Sequence, residues 1–278
     1  MANERDHHML DRRALLALMT AAVVAPAAAQ PAITDPDAVY DRLLSRYVAI
    51  GKDGVNRVDY ARWKANADDR KALDAYVLEL AGRKPSAMSR DDAFAYWGNL
   101  YNAVTLKVVL DRYPIASIRD IKSDSWFSLK AYTGPWQQER VTVEGRKLSL
   151  DNIEHDIMRP TFKDPRVHYV VNCASYGCPN LMNRAWRAAT LEADLEAAAR
   201  MFVNHARGVA VSASGGLTVS SIYKWFIVDF GGNDDGVIAH FRKYAGPELA
   251  QRLGGSPRIV SDTYDWSLNK VPTGQAGG

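Results

Sequence analysis

Cysteine is almost missing from this chain: two residues in 278, Cys173 and Cys178, with four others between them. That scarcity excludes a disulfide-dense scaffold, and the pair with its dispersed histidines does not match finger or ribbon spacing for zinc, so no metal site and no cofactor are expected. Long apolar runs are equally scarce. The one such run, residues 14–24, falls short of the roughly 20 residues that a bilayer-crossing helix needs, and no second run approaches it, so no membrane span is expected. Charge of one sign is never concentrated. The 35 basic and 32 acidic residues are interspersed to a net +3, without the positive stripe that nucleic acid binding requires, which excludes nucleic acid as a partner. Internal repeats and linker-like stretches are also lacking, so the sequence reads as a single globular domain over 37–270 with a disordered tail at 271–278.

What the sequence does contain begins with a leader. Arg12 and Arg13 precede the apolar run, and Ala27, Ala28 and Ala29 form a small-residue cleavage site. Residues 1–29 therefore read as an export signal peptide. The paired arginines followed by Leu15 and Leu16 favour twin-arginine export, with the general secretory route as the alternative. Cleavage would leave 249 of the 278 residues in a periplasmic or secreted location, where the oxidising environment permits the two cysteines to pair.

Helical spacing is expected over 37–50 and 59–80. Ser89 caps the next helix, and residues 93–106 carry no charge, so a buried central helix over 93–110 follows. Asn99 and Asn102 inside it must find partners, either nearby backbone or a site that they line. Glu144-Gly145 marks a hairpin turn, and Gly215-Gly216 marks a second. Residues 150–158 form a helix that aims Glu154 toward the core and sets His155 beside that face. Residues 167–173 read as a buried strand containing His168 and Asn172 and ending at Cys173. Helices over 190–205, 222–230 and 235–244 complete an α+β fold, helix-rich, built around the buried helix with a small, mainly antiparallel sheet.

Five motifs occur in order: AYWGNLYNAVTL, SLDNIEHDIMRP, DPRVHYVVNCASYGCPNL, SSIYKWFIVDFG and YDWSLN. Together they resemble the family catalogued as domain of unknown function 547, from about residue 54 to 269, which implies a shared domain but no defined chemistry. A looser likeness, in residue types, is to papain- and transglutaminase-like thiol enzymes, in which a Cys, a His and an acid or amide act together. Those enzymes start a buried central helix with the cysteine, whereas the apolar helix here has none.

The candidate chemistry is therefore a thiol or disulfide centre. A nucleophilic cysteine needs a lowered pKa. Cys178, beyond the strand and after Gly177, is the expected exposed nucleophile, and Cys173 the more buried one. His168 or His155 would be the base, His155 being oriented by Glu154 or by Asn172. In a regular strand His168 and Cys173 point to opposite faces, while Asn172 shares the face of His168. Against this stands a Cys173–Cys178 disulfide that closes a short loop in a non-enzymatic binding or envelope protein. Glu154 has a purely structural alternative, pairing with Arg159 or Arg166; Asp229 and Asp265 are similarly open, and Trp225 and Trp266 read as core. The partner would be a small molecule or peptide of undefined identity.

Overall fold

The structure, a computed structural model, describes residues 36–122 and 134–272. Residues 1–29, read from the sequence as an export signal, lie outside the described residues, as do Trp126 and the tail beyond 272. Val271, counted with that tail from sequence, instead donates its N–H to the carbonyl of Val58 at 3.1 Å.

The chain opens with α1 (Pro36–Tyr47), an antiparallel ribbon of β1 (Val48–Ile50) and β2 (Asn56–Val58), then α2 (Tyr60–Ala65) and α3 (Ala67–Ala81). The single helix expected over 59–80 is thus two. Asn66 ends α2 with its N–H on the Trp63 carbonyl and caps α3 with its side chain on the N–H of Asp69. Helix α4 (Arg90–Arg112) is the expected central helix, capped by the Ser89 hydroxyl on the Asp92 N–H. From Phe94 to Leu110 every residue but Lys107 is buried, because layers of the domain pack on all of its sides.

An antiparallel ribbon of β3 (Val141–Val143) and β4 (Arg146–Leu148) follows, turning through Glu144 and Gly145 at φ 48° and 77°. Two successive positive φ values are what a two-residue primed turn demands, and glycine meets one of them without strain. Helical backbone then starts at Leu150, with the Ser149 hydroxyl accepting the Asn152 N–H. It widens into a π-helical segment, Asn152–Met158, and continues as α5 (Arg159–Phe162). After α6 (Val167–Val170) come the cysteine loop, α7 (Leu191–Val203), the antiparallel pair β5 (Val209–Val211) and β6 (Gly216–Ser220), α8 (Ser221–Trp225), α9 (Asp234–Tyr244), α10 (Pro247–Arg252) and β7 (Arg258–Thr263), which joins β6 in parallel. The fold is α+β, helix-rich, with small sheets in which antiparallel pairing dominates.

Two expectations fail here. The strand over 167–173 is a helical turn followed by extended chain, with the N–H groups of Val167, His168 and Tyr169 bonded to the carbonyls of Asp164, Pro165 and Arg166. A short, wholly buried apolar run satisfies either conformation, so its pattern does not discriminate. The helix over 222–230 stops at Trp225, and residues 226–230 form successive turns.

Helix α4 meets α6 at Gly98, where an added Cβ would press into the Val170 side chain and reach 3.8 Å from Trp186. Alanine is the better helix former by about 1 kcal/mol. Overpacking against a buried, β-branched neighbour costs typically about 1–3 kcal/mol and prevails. Gly98→Ala is thus expected to lower the thermal midpoint by several degrees, and an unchanged or raised midpoint in calorimetry would refute this packing argument.

Candidate functional site

Three segments distant in sequence converge on the cysteine loop. Helix α4 holds its near end: Asn102 donates to the Val170 carbonyl at 2.9 Å and accepts the Asn172 N–H at 2.8 Å. Asn99 clasps Trp186 in the same way, its amide taking both the N–H and the carbonyl at 2.9 Å. Both amides serve the backbone, and Asn102 fixes the residue that precedes Cys173. Asn172 is likewise taken up by backbone groups of the loop. It accepts the Ala174 N–H and donates to the Pro179 carbonyl at 2.7 Å, closing the loop across its base. Arg207 grips the outside, donating to the carbonyls of Tyr176 and Cys178 at 2.8 and 2.7 Å. The segment after β7 is stitched along the loop by Tyr176 N–H to the Ser267 carbonyl, Gly177 N–H to the Asp265 carbonyl and Asn269 N–H to the Ala174 carbonyl. A Cβ on Gly177 would lie 2.9 Å from the Asp265 nitrogen, so only glycine admits that approach.

This stitching delivers Tyr264. Its hydroxyl lies 3.0 Å from the Cys178 sulfur, 3.1 Å from the Cys173 sulfur and 2.7 Å from the Ser175 hydroxyl. Cys178 also accepts the Cys173 N–H at 3.1 Å, while Cys173 shares a contact of 2.9 Å with Ser175. Both cysteines are free thiols, and the loop is held by Asn172 and Arg207 rather than by a disulfide. The expected exposures are reversed: Cys178 is buried and Cys173 partly open. Burial alone would push the Cys178 thiol up. Hydrogen bonds from the Cys173 thiol, the Tyr264 hydroxyl, the Cys173 N–H and Ser175 outweigh it and bring Cys178 down to about 7. Burial and the neighbouring Cys178 push Cys173 well above the ordinary range, and burial with the two sulfurs beside it does the same to Tyr264, which stays a proton donor.

Facing the sulfurs across the pocket is a buried ionic cluster. His168 places Nε2 2.7 Å from Asp229 Oδ2 and Nδ1 3.6 Å from Glu154 Oε1, and its ring stacks on Phe226 at 4.3 Å. Burial disfavours the imidazolium, yet Asp229 and then Glu154 raise the His168 pKa above its ordinary value. Burial likewise opposes the two carboxylates, yet bonds to His168 hold both below their usual range, with help from Arg159 for Asp229 and from nearby His155 and Tyr101 for Glu154. Glu154 is therefore paired with His168, not with an arginine: Arg159 bonds Asp229 at 2.6 Å, and Arg166 serves Asp164, Glu192 and Glu196. His155, half-buried, is not oriented by Glu154 or Asn172. Its nitrogens lie 3.9 Å from Asp151 and 3.4 Å from Arg159.

One pocket of about 150 Å³ brings these groups together, lined by His155, His168, Glu154, Cys173 and Cys178 along with aromatic rings. That volume admits a side-chain-sized group rather than a large ligand. Trp225, read from sequence as core, is 49% exposed and stacks on Trp266 at the mouth. Tyr264, Ser175, Arg207 and Asp151 were not singled out from sequence. Tyr264 heads the YDWSLN motif, which was its only signal. Among the described residues no group of three or more His, Cys, Asp or Glu is placed to hold a metal ion, and no helix is long and apolar enough to cross a membrane.

The fold and site thus define an α+β domain with a paired-thiol pocket beside a carboxylate–imidazole–carboxylate cluster. Residues 85–203 match the family model described as "Protein of unknown function, DUF547". That stretch carries α4, Glu154, His168 and the cysteine loop, whereas Asp229 and Tyr264 lie beyond it. No curated protein and no solved structure matches the chain. The likeness to papain- and transglutaminase-like enzymes gains no support, since the buried helix α4 bears no cysteine and the thiols sit on a loop.

Proposed function

We propose that this chain is an exported thiol-dependent enzyme, a hydrolase or acyl transferase, with the Cys178 thiolate as its nucleophile. The observation that carries this reading is the set of donors converging on one sulfur: the Cys173 N–H and thiol and the Tyr264 and Ser175 hydroxyls. Such a set stabilises a thiolate, the reactive form of the thiol. The thiolate attacks an acyl carbon to form an S–C bond, and the tetrahedral adduct expels an amine or thiol that takes a proton from His155. Water or a second nucleophile then cleaves the acyl-thioester, returning the proton to His155 and restoring the thiolate. His168 is saturated by two carboxylates and serves as a positioning residue that keeps Glu154 ionised. The leader at 1–29 supports a periplasmic or secreted setting.

At about pH 7 a thiol of pKa near 7 is half thiolate, against a few per cent for an ordinary thiol near 8.5. In the reduced native protein, iodoacetamide is therefore expected to modify Cys178 roughly tenfold faster than Cys173. Cys178→Ser should remove both this fast reaction and turnover in an amide and thioester library while leaving the thermal midpoint in place. If both thiols of the reduced native protein are inert, the reading falls, and the two cysteines are then structural.

A further inference from the structure

The pocket's rings and charges together specify more than a nucleophile. Its lining includes the rings of Trp136, Trp225, Phe226, Tyr264 and Trp266, of which Trp225 is exposed. These rings do not form a flat pile. Trp136 meets Trp266 at 66° and Tyr264 meets it at 56°, while Trp225 stacks 5.6 Å from Trp266, so the rings present both edges and faces to the pocket they line. Two cations already lie on faces of this aromatic set outside the pocket lining: Arg119 at 5.2 Å over Trp266 and Arg159 at 4.9 Å over Phe226.

Charge inside the pocket has one sign in excess. Among the described residues its lining includes no lysine or arginine, while Asp151, Glu154 and the Cys178 sulfur all face it. The positive charge of His168 is already matched by Glu154 and Asp229. The Asp151 carboxyl has a long 3.9 Å approach to His155 and a hydrogen bond from the Gln137 side chain, and burial still raises its pKa, a cost that a cation beside it would relieve. A carboxylate or phosphate entering here would meet Asp151 and Glu154 with no lysine or arginine in the lining to receive it, whereas an organic cation meets π faces and a carboxylate.

We propose that this pocket recognises an alkylammonium group on its substrate, held against Trp225, Trp266 and Asp151 next to the reactive thiolate. The proposal rests on the thiol-enzyme reading for the word substrate, but binding of the cation is testable apart from it. The probes are choline and its neutral isostere 3,3-dimethylbutan-1-ol, which have the same shape and differ in charge. Binding is followed by tryptophan fluorescence and calorimetry on the mature full chain, both as wild type and as Cys178→Ala, which abolishes thiol chemistry. Choline is expected to bind both proteins at least about tenfold more tightly than the isostere, and Trp225→Leu, at an exposed position where an apolar side chain is kept, should collapse that ratio. Equal affinities, tighter binding of the neutral compound, no saturable binding of either, or a ratio indifferent to Trp225→Leu would each overturn the proposal. None of these results bears on iodoacetamide labelling of Cys178, so the two readings fail separately.

Discussion

Replacing His168 with leucine is expected to destabilise the fold by about 3–5 kcal/mol near neutral pH, the usual cost of stripping one partner from a buried ion pair. The leucine fills much of the space and keeps the contact with Phe226. What it removes is the charge that lets two carboxylates stay ionised out of water. Asp229 retains Arg159 at 2.6 Å, whereas Glu154, among the described residues, is left with the Tyr101 hydroxyl and His155 at longer range.

The pH dependence separates this account from simple loss of packing. In the native protein His168 is raised above its ordinary 6.5, so its contribution is complete below that value and fades as pH rises through the folded-state pKa. Glu154 and Asp229 are held low. Their contribution is present above the ordinary values of 4.5 and 3.8 and is lost as pH falls through the folded-state values. In the leucine variant burial pushes Glu154 upward instead, so the destabilisation grows with pH above about 4.5 and shrinks below it. Urea denaturation of both proteins at about pH 4.5 and about pH 7 measures the difference; a loss equal at the two values would show that the charge of His168 is not what matters.

Tyr264→Phe should lower the reactivity of Cys178 sharply while leaving its sulfur in place. The hydroxyl serves both sulfurs, whereas the ring, packed on Trp266 at 4.6 Å, survives the change. A hydrogen bond to a charged acceptor contributes about 1.5–3 kcal/mol, and each pKa unit corresponds to about 1.4 kcal/mol, so the Cys178 pKa is expected to climb by about one to two units from about 7. At pH 7 the thiolate fraction then drops from about half to a tenth or less. The pH profile of iodoacetamide modification of Cys178 reads this directly. A midpoint that stays where the wild type has it would mean that the backbone N–H and the second thiol suffice, and that Tyr264 is packing only.

How far the sequence foretold this arrangement differs by element. The uncharged stretch after Ser89 left α4 no exposed face, and Glu144-Gly145 allowed hardly anything but a tight turn, so both were legible. The run VHYVV was not, because burial on every side erases the periodicity that separates strand from helix. That one misreading placed His168 on the wrong face relative to Cys173 and linked Asn172 to the pocket. Glu154 was correctly turned inward by its spacing from Leu150 and Ile157, but its partner lay in α6 and the cluster's second acid in the turns after α8. Pairings of that kind depend on tertiary approach, on which local pattern is silent. The exposures of the two cysteines were inverted for the same reason: Arg207 and the Tyr264 segment cover Cys178 from outside its own neighbourhood.

The stitching of the 265–269 segment to the cysteine loop bears on when the two thiols come to differ. Tyr264 is 86 residues downstream of Cys178, and it reaches the sulfurs only after β7 has paired with β6 and the chain from Asp265 to Asn269 has settled against the loop. A polypeptide still emerging, or one whose final turns have come undone, keeps both thiols but lacks the hydroxyl that sets them apart. Its cysteines would behave as an ordinary pair, slow toward electrophiles at neutral pH. On the function proposed above, reactivity at Cys178 therefore doubles as a report on whether the segment that carries Tyr264 has docked on the loop.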